Sequence, residues 1–198
     1  TLWADAENNL SGRIWIGTFN RFNSKGGNIY LAGGADDGGT ASGISSSVMR
    51  AGDGAPDGYA RAEGSGYSVE TAGLTLGNRT IITSSVSQNG SGGDVFIAGR
   101  GSQSASAVSS EKGVLADNIT IDSGQGHIAM FGKASSVNFS SSNGIYLRSN
   151  LDATLTQIVS ANTSSDAIVL SGDSYAGNTL YSTGFLTYSS VPAGSQTG

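Results

Sequence analysis

The stretch Gly93-Asp-Val-Phe-Ile-Ala-Gly99 decides the fold, because aliphatic residues alternate with other residues between two glycines. Strict alternation over so few residues is typical of a short β-strand with one buried face. The same template recurs five more times. The other segments are Gly12-Arg-Ile-Trp-Ile-Gly17, Gly27-Asn-Ile-Tyr-Leu-Ala-Gly33, Gly126-His-Ile-Ala-Met-Phe-Gly132, Asn143-Gly-Ile-Tyr-Leu-Arg-Ser149 and Asp166-Ala-Ile-Val-Leu-Ser-Gly172.

Recurrence of one strand type predicts an all-β solenoid, in which parallel strands of successive coils stack on one another. Coils of roughly 20 residues would give about seven or eight coils. An antiparallel β-sandwich is the alternative, and the scarcity of two-residue hairpin turns disfavours it. We expect the aliphatic pairs to line the interior: Ile14/Ile16, Ile29/Leu31, Val95/Ile97, Ile119/Ile121, Ile128/Met130, Ile145/Leu147 and Ile168/Leu170.

The chain is expected to form a solenoid over residues 1–190, followed by a linker or tail over residues 191–198. Residues 34–68 break the strand pattern with turns rich in glycine and aspartate, which predicts a long excursion outside the solenoid. Loops of this length are usually functional or cover another element. Because the chain begins inside a strand-like pattern, we expect it to be a fragment of a longer protein.

The composition excludes several classes of function. The net charge of −5 disfavours binding to nucleic acid or to anionic lipid. The absence of cysteine excludes thiolate metal sites and disulfides. No stretch approaches the ~18 apolar residues of a membrane span, so no membrane insertion is expected.

The middle residue of each template points away from the core, and several of these residues are aromatic. If the strands share one sheet, the aromatic rings form a column on an outer face, next to Ala129 and Val169. Aromatic rings suit the apolar faces of sugars, and exposed apolar patches mark interaction sites. The alternative is that the excursion covers this face. The predicted ligand-binding residues are Trp15, Tyr30, Phe96 and Tyr146.

The excursion also holds a group of acidic residues. Carboxylates in glycine-rich loops can supply the oxygen ligands that calcium requires. The Asp-x-Asp-x-Asp spacing is missing, however, so we expect solvated turn residues and no resident metal or other cofactor. The weak calcium candidates are Asp36, Asp37, Asp53 and Asp57, with Glu63 nearby.

No catalytic residues are predicted. His127 is the only histidine, and its place before an aliphatic strand predicts a surface position. A nucleophile elbow, a phosphate-binding loop and a metal-binding histidine pair are all missing. The sequence therefore predicts that the chain is not an enzyme.

Several segments resemble the filamentous-haemagglutinin-type large bacterial adhesins. The resemblance extends over about residues 10–190, and Gly184-Phe-Leu-Thr-Tyr-Ser189 resembles the element that often ends the β-helical part of such proteins. The other segments that carry it are Gly26-Gly-Asn-Ile-Tyr-Leu-Ala-Gly-Gly34, Pro56-Asp-Gly-Tyr-Ala60, Gly113-Val-Leu-Ala-Asp-Asn-Ile-Thr-Ile-Asp-Ser-Gly124 and Asn143-Gly-Ile-Tyr-Leu147.

This resemblance implies a right-handed parallel β-helix and two-partner secretion through an outer-membrane transporter to the bacterial cell surface. It also implies a role in attachment or biofilm cohesion, with host-cell or matrix carbohydrates or receptors as partners. A purely structural spacer and a polysaccharide-degrading enzyme are the alternatives. A bare aromatic column would favour binding, a covered column would favour the spacer, and a groove with several carboxylates within about 10 Å would favour the enzyme.

Overall fold

A computed structural model describes residues 1–6, 12–62, 71–87, 90–102, 111–135, 142–149 and 155–173, together with the backbone of residues 183–189. This part of the chain contains fifteen strands and no helix. The strands are β1 (Leu2–Ala4), β2 (Ile14–Ile16), β3 (Arg21–Asn23), β4 (Ile29–Gly33), β5 (Ala60–Arg61), β6 (Thr71–Leu76), β7 (Ile81–Thr83), β8 (Val95–Arg100), β9 (Glu111–Asp117), β10 (Thr120–Asp122), β11 (Ile128–Lys133), β12 (Asn143–Ser149), β13 (Gln157–Val159), β14 (Ile168–Asp173) and β15 (Thr183–Ser189).

The strands form three parallel sheets. Sheet 1 has the order β1-β4-β8-β11-β14, with β5 also paired to β8. Sheet 2 has the order β2-β6-β9-β12-β15, and sheet 3 has the order β3-β7-β10-β13. The chain visits sheets 2, 3 and 1 in that order and then repeats the round, which is consistent with a β-solenoid. Pairing between named strands is parallel throughout the described residues, so the antiparallel sandwich is wrong.

The rounds are longer than the predicted 20 residues. Asp94 and His127 precede neighbouring strands of sheet 1 and are 33 residues apart. Asp117 and Arg148 lie on neighbouring strands of sheet 2 and are 31 residues apart. The predicted period was therefore too short, and the short third-sheet strand β3 lacks the glycine-bounded template.

The predicted aliphatic pairs form the core between the sheets. The strand register places apolar residues of successive rounds next to one another, as Ile97 pairs with Met130 and Met130 pairs with Leu170. Most of these side chains are buried, and each one withdrawn from water contributes about 1.5–3 kcal/mol. The exceptions are in β14, where Ile168 is 39% exposed and Leu170 is half-buried, although both are predicted to lie inside.

The corner between sheets 2 and 3 is made by a ladder of left-handed residues. Phe19, Arg79 and Asn118 have φ angles of 61°, 60° and 47°. The backbone N–H of Phe19 donates to the carbonyl of Asn78, and that of Arg79 donates to the carbonyl of Asn118. The same turn geometry therefore stacks from one round to the next.

The excursion interrupts a single strand position of sheet 1. β4 pairs with the first half of β8, and β5 continues the pairing where Ala60 faces Gly99. Gly33 and Gly58 form an antiparallel bridge that closes the base of the insertion. The described excursion is therefore residues 34–59, and the chain has rejoined sheet 1 at Ala60, earlier than predicted. Residues 63–68 of the predicted excursion and the predicted tail at 191–198 lie outside the described residues.

Glycines line the corner where strands of sheet 1 end close to the start of strands of sheet 2. A Cβ on Gly132 would lie 2.0 Å from the carbonyl oxygen of Gly144. A Cβ on Gly99 would lie 2.3 Å from the carbonyl oxygen of Gly113. Only glycine permits this approach of two backbones.

Replacing Gly132 by alanine tests this packing. Because the obstructing atoms are backbone, Gly132→Ala should lower the free energy of unfolding by about 3 kcal/mol or more. Gly17→Ala is the control, since its Cβ would meet only the Asn20 side-chain amide, at 3.9 Å. Thermal unfolding followed by circular dichroism compares the two, and a wild-type midpoint for Gly132→Ala would contradict the packing.

Candidate functional site

The outward residues of sheet 1 stack in register, but they form only part of the predicted column. Tyr30 pairs with Phe96, Phe96 with Ala129, and Ala129 with Val169. The rings of Tyr30 and Phe96 have centroids 6.3 Å apart at a tilt of 56°. Phe131, on the same face, lies 6.0 Å from Phe96. Such tilted ring pairs are favourable beyond the area that they bury.

The excursion covers this face. Tyr30 is 6% exposed and Phe96 is 0% exposed. They form a second apolar cluster with five residues of the excursion, namely Ile44, Val48, Met49, Ala55 and Tyr59. In this structure Tyr30 and Phe96 are therefore core residues of the covered face rather than parts of an exposed platform.

Trp15 and Tyr146 lie in sheet 2, so the four aromatic residues do not share one column. They stand in one row of that sheet, separated by Thr75 and Leu115. Trp15 is 71% exposed, and the guanidinium of Arg13 lies 5.7 Å from its ring centroid. Tyr146 is half-buried beneath the ammonium of Lys112, 5.1 Å from the ring centroid. Trp15 alone of the four predicted residues presents a bare ring, and its binding role stays a prediction.

The aspartates of the excursion bind the excursion's own backbone. The Asp36 carboxylate accepts N–H groups of Gly52 and Gly54 at 2.5 and 2.7 Å. Asp37 accepts the N–H of Ala41, and Asp53 accepts the N–H of Ala55. Within the described residues, no group of three or more His, Cys, Asp or Glu side chains could hold a metal ion. Glu63 lies outside the described residues.

Asp57 anchors the excursion from inside. Its side chain is 0% exposed, and Oδ2 accepts the N–H of Gly38 at 2.7 Å. Oδ1 is buried without a hydrogen-bond partner. Burial raises the pKa of Asp57, the Gly38 hydrogen bond opposes that rise, and Asp53, Asp36 and Asp37 add to it. The charged form of this carboxylate therefore opposes folding.

Sequence reasoning missed a polar network at the start of the sheet-1 strands. Asn28, Asp94 and His127 each precede a strand in the same register, and the side-chain oxygens of Asn28 and Asp94 each accept the backbone N–H of the equivalent residue in the next round. The backbone N–H of Asp94 donates to Asn28 Oδ1 at 2.9 Å, and that of His127 donates to Asp94 Oδ1 at 2.8 Å. A signal was present, since Asp94 and His127 hold the same place in the template, between a glycine and the first aliphatic residue.

The His127 ring connects this ladder to the turn before β14. Nδ1 lies 3.0 Å from Asp94 Oδ1. Nε2 lies 3.2 Å from Asn162 Nδ2, 3.3 Å from Ser164 Oγ and 3.7 Å from Asp166 Oδ1. The histidine side chain is 27% exposed, in keeping with its predicted surface position, but it is not an isolated residue.

Comparison with protein-family profiles, with curated proteins and with solved structures gave no match. In the part of the chain that the structure describes, no helix is long and apolar enough to cross a membrane.

The buried Asp57 carboxyl gives a pH prediction. Because its pKa is higher in the folded than in the unfolded protein, its contribution to stability is full below the unfolded pKa and is lost as pH rises through the folded pKa. The Asp57→Asn variant has no ionisable group at this position, so it does not lose this contribution to stability as pH rises. Relative to wild type, the variant should therefore gain free energy of unfolding as pH rises from acid to neutral.

Thermal or urea unfolding of both proteins across this pH range measures the difference. Asp37→Asn, in the same excursion but half-buried, controls for general loss of acidic charge. A wild-type-minus-Asp57→Asn difference that does not change with pH would show that the carboxyl is solvated in the folded protein.

Proposed function

We propose that this chain is a segment of a right-handed parallel β-helix from the shaft of a large secreted bacterial surface adhesin. The cyclic order of three parallel sheets supports the β-helix, and the sequence resemblance supports the adhesin family and export through an outer-membrane transporter. The role proposed for this segment is that of a rigid spacer, which holds other parts of the adhesin away from the cell.

The covered face of sheet 1 is the observation that favours a spacer over a binding module. The excursion packs its own apolar residues on Tyr30, Phe96 and Phe131, so the largest aromatic group is used for internal cohesion. A ligand would have to displace this cluster, at a cost of several buried apolar side chains. A spacer needs only the continuous stack of strands and a face closed to solvent.

Attachment is the second candidate, and the bare Trp15 ring favours it. An indole that is 71% exposed offers a flat apolar surface for the C–H face of a sugar ring. Its neighbour Arg13 adds a permanent positive charge beside the ring. Attachment or biofilm cohesion through carbohydrate or a host receptor would then depend on this one residue of sheet 2.

Binding to a glycan and matrix-protein panel, with and without calcium, separates the two candidates. For the spacer, we expect no binding above background by the wild-type chain. For attachment, we expect binding that is lost in Trp15→Ala and kept in Thr75→Ala, which alters the next residue in the same row. Trp15→Ala should keep the wild-type unfolding midpoint, because exposed substitutions usually change stability by less than about 0.5 kcal/mol.

A further inference from the structure

Ser164, His127 and Asp94 have the mutual geometry of a nucleophilic triad. Ser164 Oγ lies 3.3 Å from His127 Nε2, and His127 Nδ1 lies 3.0 Å from Asp94 Oδ1. Such sites occur on unrelated folds and are recognised by their contacts: the serine lies against the base, and the base lies against an orienting carboxylate. The order of these residues along the chain differs from fold to fold. We propose that this group hydrolyses short-chain carboxylic esters, an activity beyond the shaft role and independent of it.

Asp94 sets the orientation of the imidazole. Its Oδ1 accepts both the backbone N–H of His127, at 2.8 Å, and the ring N–H at Nδ1. The ring tautomer with its proton on Nδ1 leaves the lone pair of Nε2 directed to the turn before β14. Both side chains are about one-quarter to one-third exposed, at 27% and 29%, so the contact is partly shielded from water.

Asn162 supplies a hydrogen-bond donor beside the serine. Its Oδ1 accepts the backbone N–H of Ser164 at 2.8 Å, and its Nδ2 donates to the carbonyl of Gln125 at 3.0 Å. These two bonds fix which end of the amide carries the N–H groups. Nδ2 lies 3.2 Å from His127 Nε2, the atom that also faces Ser164 Oγ. One N–H of Nδ2 is held by Gln125, and the other, which faces Nε2, must turn to the carbonyl oxygen of a bound ester to stabilise the oxyanion of a tetrahedral intermediate.

A surface depression beside Asn162, open to solvent, provides room for a small acyl group. Its volume is about 390 Å³, and it is lined by Gln125, Ala161, Asn162 and Thr163. Asn162 thus belongs both to the wall of the depression and to the contacts of His127. The polar lining and modest size favour a short acyl chain, such as acetyl, over a long apolar chain.

Asp166 completes the surroundings of the imidazole. Its Oδ1 lies 3.7 Å from Nε2, so its charge stabilises the imidazolium that forms when the serine proton is taken up. Hydrogen bonds from the hydroxyls of Ser47 and Ser164 lower the pKa of Asp166, which keeps it ionised. Ser164 therefore has two acceptors, and the triad forms when its hydroxyl turns from Asp166 to Nε2.

The reaction is an acyl transfer to serine followed by hydrolysis. Ser164 Oγ bonds to the ester carbonyl carbon while His127 Nε2 takes the hydroxyl proton. The carbonyl C–O bond to the alcohol then breaks, and the alcohol leaves with that proton. Water attacks the acyl-serine and gives a proton to Nε2; the carboxylic acid departs, and the proton returns to Ser164 Oγ.

Labelling with a fluorophosphonate probe, followed by intact-mass analysis and peptide mapping, tests the nucleophile. We expect one label per chain, on Ser164, and none on Ser164→Ala. Ser165→Ala, the exposed neighbouring serine, is the matched control and should label at the wild-type rate. His127→Gln should slow labelling by about 100-fold or more, since it removes the general base. The rate of p-nitrophenyl acetate hydrolysis should rank these variants in the same order as the rate of labelling.

Asp94 is a positioning residue, and two substitutions distinguish that role from a structural one. Asp94→Asn keeps an acceptor for the His127 N–H but removes the charge, so labelling should fall. Asp94→Glu restores the carboxylate and should recover part of the rate at an unchanged circular dichroism spectrum. A wild-type chain that is not labelled, or labelling that survives in Ser164→Ala, overturns the proposal. Neither result depends on the binding to glycans and matrix proteins that tests the proposed shaft role.

Discussion

The close approach of two backbones at the corner between sheets 1 and 2 is the constraint on which the rest of the structure depends. Carbonyl oxygens there occupy the space in which a side chain would begin, as at Gly99 and Gly132. In successive rounds, the ends of the sheet-1 strands are thereby held against the starts of the sheet-2 strands. The excursion departs beside this corner, at Gly33, and the chain re-enters the same strand position of sheet 1 at Ala60.

Sheet 1 carries a second apolar layer because the excursion returns to the strand position that it leaves. Its inner face packs on the shared core, and its outer face holds Tyr30, Phe96 and Phe131. An excursion that leaves and re-enters the same strand position can fold directly onto that outer face. Asp36 and Asp57 then hold the excursion together through its own backbone N–H groups, so carboxylates that suggested calcium in the sequence act instead as internal hydrogen-bond acceptors.

The strand template predicted the all-β class, the parallel pairing and most of the core, because alternation with a period of two specifies which side chains face inward. Alternation says nothing about which sheet a strand joins. Trp15 and Tyr30 hold equivalent places in their templates, yet Trp15 lies on sheet 2 and Tyr30 on sheet 1. In the third sheet the template missed β3, since this strand has the sequence Arg-Phe-Asn and a single apolar residue facing the core.

The polar network around His127 was predictable in part. Asp94 and His127 share a template position, and in-register stacking brings such positions together on neighbouring strands. Asn162, Ser164 and Asp166 come from a turn with no template, and only the folded path of the chain places them at Nε2. A stacked fold therefore assembles side chains from three rounds into one group, which a linear motif search does not detect.

The proposed spacer role depends on the packing of the excursion against the outer face of sheet 1. Nuclear Overhauser spectroscopy on a sample with labelled methyl groups and phenylalanine rings tests it most directly. We expect cross-peaks from the Phe96 ring to excursion methyl groups of Ile44, Val48 or Met49, together with cross-peaks between the stacked Ile97 and Met130 side chains. If the cross-peaks between Ile97 and Met130 are present but the Phe96 ring shows none to the excursion, the packing of the excursion on sheet 1 is contradicted. Phe96 would then lie on an exposed face.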